Sequence, residues 1–118
     1  MRTAPGVEVY GGGGFRIAGQ RYEGSVLILD DAVRPWPVAE LKAVTAESLA
    51  PVFAVGLQAV EFVLIGTGAA LAPAPRAVRD AVQAAGLGLE VMSTPEACRL
   101  YNLMAEDGRR VACALIAI

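Results

Sequence analysis

The sequence predicts an α/β domain, and three patterns along the chain support that fold class. Short segments of alternating apolar and polar residues fill the first 30 positions, as in an antiparallel β-meander. Apolar runs at residues 62–65 and 110–118 are typical of strands buried on both faces. Helical patterns alternate with strands after residue 45, which favours a sheet with parallel pairs and helices packed on it. Because neither a linker nor a repeat interrupts the 118 residues, we expect a single domain over residues 1–118.

The first third of the chain contains the predicted meander. Strands are predicted near residues 7–10, 15–17 and 25–29, with a turn at Gly19-Gln20. The tetraglycine tract Gly11–Gly14 orders at a high cost in backbone entropy. It is therefore either a flexible turn or a place where another backbone comes close.

Three helices are predicted in the remaining two thirds. The first covers residues 45–55, with Thr45 as its cap and Pro51 expected to kink it or tighten it into a turn. The second covers residues 75–86, from a proline to a glycine. A strand at residues 87–92 leads to the third helix, which runs to about Glu106.

The composition excludes several classes of function. Apolar residues make up 55% of the chain and charged residues 19%, which suits a packed core. The net charge is -2 and no basic run exceeds Arg109-Arg110, so we expect no nucleic-acid binding. Histidine is absent, which removes the commonest general base and metal ligand and rules out a Ser-His-acid triad. Cys98 and Cys113 fit no zinc pattern and favour buried, reduced thiols. The sequence thus predicts no catalytic centre, metal site or cofactor.

A membrane-spanning segment is also not expected. The mean hydropathy is +0.50, and residues 49–75 carry a single charge, Glu61. Prolines and glycines interrupt that stretch repeatedly, whereas a spanning helix needs about 20 consecutive apolar residues. Met1–Tyr10 has no apolar core of signal-peptide length, so the sequence predicts a soluble, cytoplasmic protein.

Two loops after predicted parallel strands are candidate binding elements. Gly66-Thr67-Gly68 could let a ligand approach the backbone, and Ser93-Thr94-Pro95 opens a helix whose amides could hold an anion. If the two strands are neighbours, the loops form one cleft. The structural alternatives are a tight turn and a plain helix cap, made either by Thr94 or by Ser93 in a capping box with Glu96.

Polar residues around the last helix form a second candidate set. Arg99, Asn102 and Glu106 can share one helix face, while Tyr101 projects elsewhere and Arg109 follows the helix. These groups could bind a partner, or they could form a solvated face with a Glu106–Arg109 pair.

Four segments, in this order and spacing, resemble a known family. They are Tyr10–Gly19, Gly24–Leu29 followed by Trp36, Leu64–Gly68 and Val91–Ala112. Together they resemble the small α/β domain family of the mitochondrial complex I assembly factor 3 and its uncharacterised prokaryotic relatives, over nearly the whole chain. The resemblance implies a three-layer fold, with a central mixed sheet partly covered by a smaller β layer from the N-terminal meander.

The resemblance also implies a function without established enzymatic activity. Its eukaryotic members look like assembly or interaction factors at a membrane complex, and bacterial members are often encoded beside protein-export components. The positions that match the family and could matter are Gly66, Thr67, Gly68, Thr94, Tyr101, Asn102, Glu106 and Arg109. Asp107 lengthens the usual Glu-Gly-Arg turn of the family, and the chain lacks the leader of the mitochondrial members.

The expected function is therefore a non-enzymatic interaction or assembly factor with a protein partner. It would associate with a membrane complex peripherally, and self-association is left open. The alternative is a small-molecule or anion-binding protein that uses the Gly66–Gly68 and Ser93–Pro95 loops. A membrane-surface role is third. Trp36, between two prolines, would be a contact anchor if exposed, or would cover the edge of the core.

Overall fold

A computed structural model of the protein describes residues 4–118. Residues 1–3, the start of the predicted domain and of the segment tested for a signal peptide, lie outside the described residues. The strands are β1 (Val7–Gly11), β2 (Gly14–Ile17), β3 (Gln20–Glu23), β4 (Val26–Leu29), β5 (Ala32–Pro35), β6 (Phe62–Gly66), β7 (Gly88–Met92) and β8 (Val111–Leu115). The α-helices are α1 (Ala50–Val55), α2 (Arg76–Ala84) and α3 (Thr94–Glu106).

The central sheet has five strands in the order β5-β4-β8-β6-β7. Strand β6 is parallel to both β7 and β8, whereas β4 is antiparallel to β5 and β8. Every residue of β6 and β8 is buried. The two apolar runs of the sequence are thus interior strands of a mixed sheet, as predicted.

The three layers follow from the alternation of side chains along the strands. Val63 and Ile65 of β6 pack on the side that α1 and α2 cover, while Leu64 packs towards α3. The small antiparallel sheet β1-β2-β3 lies on the α3 side, where Phe15 and Ile17 of β2 are fully buried. The predicted fold, with its smaller β layer from the N-terminal meander, is confirmed.

The hairpin of β4 and β5 was not predicted, since the expected strand ended at residue 29 and no strand was expected at residues 32–35. Leu29 pairs with Ala32, so Asp30 and Asp31 alone form the turn. Both have positive φ angles, 52° and 63°. A two-residue turn between twisted antiparallel strands requires this backbone, and aspartate tolerates it better than most residues. The usual Asn-Gly signal is missing, which explains why β5 escaped prediction.

The first predicted helix is shorter in the structure than residues 45–55. Short 3₁₀ helices occupy Leu41–Ala43 and Glu47–Leu49, and α1 begins only at Ala50. Thr45 and Ser48 bond each other's backbone N–H through their hydroxyls, at 3.0 and 3.2 Å, which favours a turn over a helix. Pro51 then lies in the first turn of α1, where its missing N–H carries no penalty.

The tetraglycine tract is a site of close backbone approach. The N–H of Gly13 donates to the carbonyl of Ile118 at 2.8 Å, and Gly24 donates to the carbonyl of Gly13 at 2.7 Å. A Cβ on Gly14 would overlap the carbonyl oxygen of Tyr22 on β3. This hairpin therefore docks on the last residues of the chain, in agreement with the second of its two interpretations.

Trp36 covers the core and is no exposed anchor. Its side chain is 3% exposed and belongs to the cluster under α1 and α2. The indole N–H donates to the carbonyl of Ser48 at 2.8 Å, so its polar group is satisfied inside the fold.

Candidate functional site

The two candidate loops lie side by side, because β6 and β7 are parallel neighbours with Gly66 opposite Met92. Their backbones are joined directly: the N–H of Thr67 donates to the carbonyl of Met92, and the N–H of Thr94 donates to the carbonyl of Gly68, both at 2.8 Å. The strands are therefore neighbours, as one shared cleft would require. However, the two loops are hydrogen-bonded directly to each other, so no cleft lies between them.

Thr94 closes the junction between the loops. It is fully buried, and its hydroxyl accepts a hydrogen bond from the N–H of Gly68 at 2.9 Å. The same hydroxyl donates to the carbonyl of Ile116 at 2.8 Å. One side chain thus connects the β6 loop, the start of α3 and the end of β8.

Gly66 is required by this packing. A Cβ at position 66 would lie 2.9 Å from the hydroxyl oxygen of Thr94 and 3.0 Å from both Thr94 Cα and Leu115 Cδ2. Thr67, only 8% exposed, donates its hydroxyl to the carbonyl of Ala70 at 2.7 Å and so closes its own turn. The glycine and the threonine hydroxyl therefore serve the turn itself.

The start of α3 differs from both predicted capping schemes. Ser93 occupies the N-cap position, but its side chain makes no capping hydrogen bond. Glu96 instead pairs with Arg99 at 3.4 Å on the helix surface, so the capping box does not form. Thr94 is the first helical residue and directs its hydroxyl to Gly68 and Ile116.

The geometry does not support anion binding at these loops. The N–H groups of Thr67, Gly68 and Thr94 each donate to an atom of the protein, and Pro95 has no N–H to offer. A phosphate or carboxylate would have to displace an internal hydrogen bond to bind any of these three N–H groups.

Tyr101 and Asn102 hold the N-terminal strand against α3. The amide of Asn102 accepts a hydrogen bond from the N–H of Val7 at 2.9 Å and donates to the carbonyl of Val7 at 2.8 Å. The hydroxyl of Tyr101, a 2% exposed side chain, donates to the carbonyl of Pro5 at 2.8 Å. The bonded residues are 95 and 96 positions apart in the sequence, so no local sequence pattern could indicate these contacts.

The Asn102 clamp gives a first testable expectation. Asn102→Ala should lower the free energy of unfolding by about 2 kcal/mol, since it removes two hydrogen bonds and leaves both backbone groups of Val7 unpaired. Urea unfolding measures the change, and amide exchange at Val7 should accelerate. Arg99→Ala on the exposed face of α3 is the control, with an expected change below about 0.5 kcal/mol. Equal effects of the two substitutions would contradict the clamp.

Glu106 and Arg109 lie at the far end of α3 from the loops. Glu106 is exposed at the end of the helix. Arg109 pairs with Glu61 at 3.4 Å, and Arg110 reaches the same carboxylate at 4.0 Å. The nine predicted site residues therefore occupy three places: the loop junction, the N-terminal clamp and this helix end.

The two thiols are buried in the core between the sheet and α3. Burial raises the pKa of the Cys98 thiol to about 12. Burial, and secondarily the nearby Cys98, raises the pKa of Cys113 well above its usual value. Both cysteines are free, as expected, and neither is a competent nucleophile near neutral pH, because the thiolate is the reactive form.

Alkylation should report this burial directly. At pH 8 we expect iodoacetamide to modify native Cys98 and Cys113 at least about 100-fold more slowly than the urea-unfolded chain. Mass spectrometry over time measures both rates. Fast modification of the native protein would contradict the packing of α3 on β8.

The described residues offer neither a metal-binding cluster nor a helix suited to a membrane. Within residues 4–118, no group of three or more Cys, Asp or Glu side chains is placed to hold a metal ion. None of the helices in the same range is both long and apolar enough to cross a bilayer.

One surface near Arg109 was not identified from the sequence. Leu100, Leu103 and Met104 of α3 border an open groove beside β7, and Leu103 is 59% exposed. Their i, i+3 and i+4 spacing could have indicated an apolar surface on this helix. The same spacing is typical of a helix face that packs on the core, so it did not distinguish the two.

Comparison with known proteins places the chain among relatives. Residues 7–116 match the model of a family described as "Protein of unknown function (DUF498/DUF598)". An uncharacterised protein of Rhodobacter capsulatus is 37% identical over 93% of this chain and 82% of its own length. NADH dehydrogenase (ubiquinone) 1 alpha subcomplex assembly factor 3 of Mus musculus is 32% identical over 93% of this chain. The match spans 59% of the mouse protein, about three fifths of its length.

The fold is shared with solved structures as well. The crystal structure of an outer membrane protein from Bartonella henselae superposes with a TM-score of 0.90 at 28% identity, over 97% of this chain and 95% of that one. The family match covers both sheets and all three α-helices, and the structural match covers nearly the whole chain. The chain is therefore similar to assembly factor 3 of the NADH dehydrogenase (ubiquinone) 1 alpha subcomplex and belongs to the DUF498/DUF598 family.

Proposed function

We propose that this chain is a non-enzymatic assembly factor that binds a protein partner during construction of respiratory complex I. The observation that supports this most is the 32% identity with the mouse assembly factor 3, which extends over 93% of the chain. A match of that extent leaves out only a few residues of the chain, so the relationship concerns nearly the entire fold and not one motif.

The geometry of the candidate loops argues against both catalysis and ligand capture at that place. Catalysis or ligand capture at Gly66–Gly68 would need free amides or an open cleft, and Thr94 fills that place. The two thiols, Cys98 and Cys113, are the most nucleophilic side chains present, but both are buried and hard to ionise. A factor that acts by contact needs neither, because its working parts are surface side chains.

Within this proposal the protein is cytoplasmic and meets its partner at the periphery of the membrane complex. The partner supplies the membrane attachment. The small-molecule alternative has no specific observation in its favour once the loop amides are assigned to internal hydrogen bonds.

Deleting the gene in its host tests the proposed function. We expect less assembled NADH dehydrogenase on native gels of the membranes, with smaller subassemblies accumulating, and recovery when the wild-type chain is restored. In-gel NADH oxidation measures the assembled enzyme. Unchanged assembly in the deletion strain, with the host relying on that enzyme for growth, would overturn the proposal.

The variants Trp36→Ala and Thr67→Ala are unsuitable for testing the binding of a partner. Trp36 and Thr67 are both buried, so their replacement by alanine would weaken the fold along with any binding. Exposed positions are needed to separate binding from stability.

A further inference from the structure

A groove runs between α3 and β7, the terminal strand of the central sheet. Its volume is about 560 Å³. Phe62 and Gly88 lie on the sheet side, while Leu100 and Met104 lie on the helix side. Because β7 is the last strand of the sheet, no further strand from residues 4–118 covers this side. Gly88 has no side chain to fill the groove, and a Cβ at this position would lie 3.0 Å from Phe62 Cβ.

A second depression extends the groove towards the end of α3. It has a volume of about 550 Å³ and shares Met104 and Arg109 with the first. Leu103 borders this part with 59% of its surface exposed, and Leu100 and Met104 are half-buried. The i, i+3 and i+4 spacing of these three side chains places them on one side of α3, where they form an apolar ridge along the groove.

The charges around this groove are mainly acidic. Glu90 lines the sheet side, and Glu106 and Asp107 line the end of the depression. Within the described chain these three carboxylates form no ion pair. The nearby arginines are already engaged, since Arg99 pairs with Glu96 and Arg109 with Glu61.

We propose that this groove binds an amphipathic, basic helix of a partner protein. Apolar side chains of such a helix would cover the ridge of Leu100, Leu103 and Met104, as in other helix-in-groove complexes. Its lysines or arginines would lie against Glu90, Glu106 and Asp107. The inference rests on the proposed function, because it assigns a surface to the partner of an assembly factor.

The charge pattern disfavours the two other occupants of an apolar groove. A cytoplasmic membrane surface carries anionic lipid, which an acidic rim repels. A second copy of this chain, placed across a two-fold axis, would bring the same acidic rim against itself. A basic helix is the one occupant that satisfies both the apolar ridge and its rim.

A titration with a defined probe tests the groove. The probe is a fluorescein-labelled peptide of about 14 leucines and lysines, with leucine at i, i+3 and i+4. The control peptide has glutamate in place of every lysine. We expect saturable binding of the basic peptide with a Kd of roughly 10–100 μM. Amide shifts should concentrate on α3 and β7, and the acidic peptide should bind at least about tenfold more weakly.

Matched variants separate the groove from general stickiness. Leu103→Asp should weaken the basic peptide at least about tenfold, and the pair Glu106→Lys with Asp107→Lys should do the same without touching the ridge. Leu71→Asp is the control, because Leu71 is 68% exposed and does not line the groove. All of these positions are exposed, and circular dichroism confirms that each variant is folded.

Several results would overturn the inference. In the titration, these are amide shifts that lie away from α3 and β7, or equal binding of the basic and acidic peptides. A membrane surface would be indicated by Leu103-dependent binding to vesicles of phosphatidylcholine and phosphatidylglycerol. Self-association would be indicated by a dimer that the Leu103→Asp substitution dissociates. If the basic peptide does not bind but the deletion strain has an assembly defect, the groove is not the binding site and the proposed function stands. Normal assembly in the deletion strain overturns the proposed function and, with it, this partner.

Discussion

Thr94→Val is expected to lower the free energy of unfolding by about 3 kcal/mol and Tm by about 10 °C. Valine fills nearly the same volume, but it leaves the N–H of Gly68 and the carbonyl of Ile116 without a partner in a fully buried place. Each unpaired buried group costs about 1–3 kcal/mol. Urea unfolding followed by circular dichroism measures the loss.

Thr94→Ser is the control for this prediction. It keeps the hydroxyl and both hydrogen bonds and removes one buried methyl group, so it should cost only about 1 kcal/mol. Equal losses for the valine and serine variants would mean that the hydroxyl contributes nothing and that the junction is held by packing alone.

Gly66→Ala should destabilise the fold by about 3 kcal/mol, for a steric reason. The added Cβ would press against Thr94 Cα at 3.0 Å, and backbone at the start of a packed helix cannot easily move away. It would also approach the Thr94 hydroxyl oxygen at 2.9 Å and disturb its hydrogen bonds. Differential scanning calorimetry measures the shift in Tm.

Gly6→Ala is the matched glycine control, because the nearest atom to its added Cβ is Asn102 Oδ1 at an ordinary 3.8 Å. Its expected effect is within about 0.5 kcal/mol. If alanine at position 66 were tolerated as well as at position 6, the glycine would have to serve ligand approach, and the binding interpretation of the loop would regain support.

The buried strands and the helix ends could be predicted because each depends on the composition of a short segment. The run at residues 62–65 is apolar throughout and the run at 110–118 is apolar after Arg110, which is the pattern of strands covered on both faces. Gly86 follows the end of the second helix as expected, with a φ angle of 79°, and Gly108 follows the end of the third with a φ angle of 76°. Elements defined by their own composition could therefore be placed before any contact was known.

The sequence indicated where the candidate site lies but not what its side chains do, because their hydrogen-bond partners are distant in the sequence. The sequence placed the Gly66 and Ser93 loops side by side once their strands were neighbours. It could not reveal that the Thr94 hydroxyl is shared between Gly68 and Ile116. The Asn102 clamp on Val7 was hidden for the same reason, because its partner lies 95 positions away.

If the chain holds its partner on the α3–β7 groove, the decisive measurement is assembly of NADH dehydrogenase in the deletion strain, complemented by variants expressed at equal levels. We expect Leu71→Asp to restore the assembled enzyme and Leu103→Asp, although equally stable, to leave it unassembled. Full restoration by Leu103→Asp would show that the partner does not need this groove.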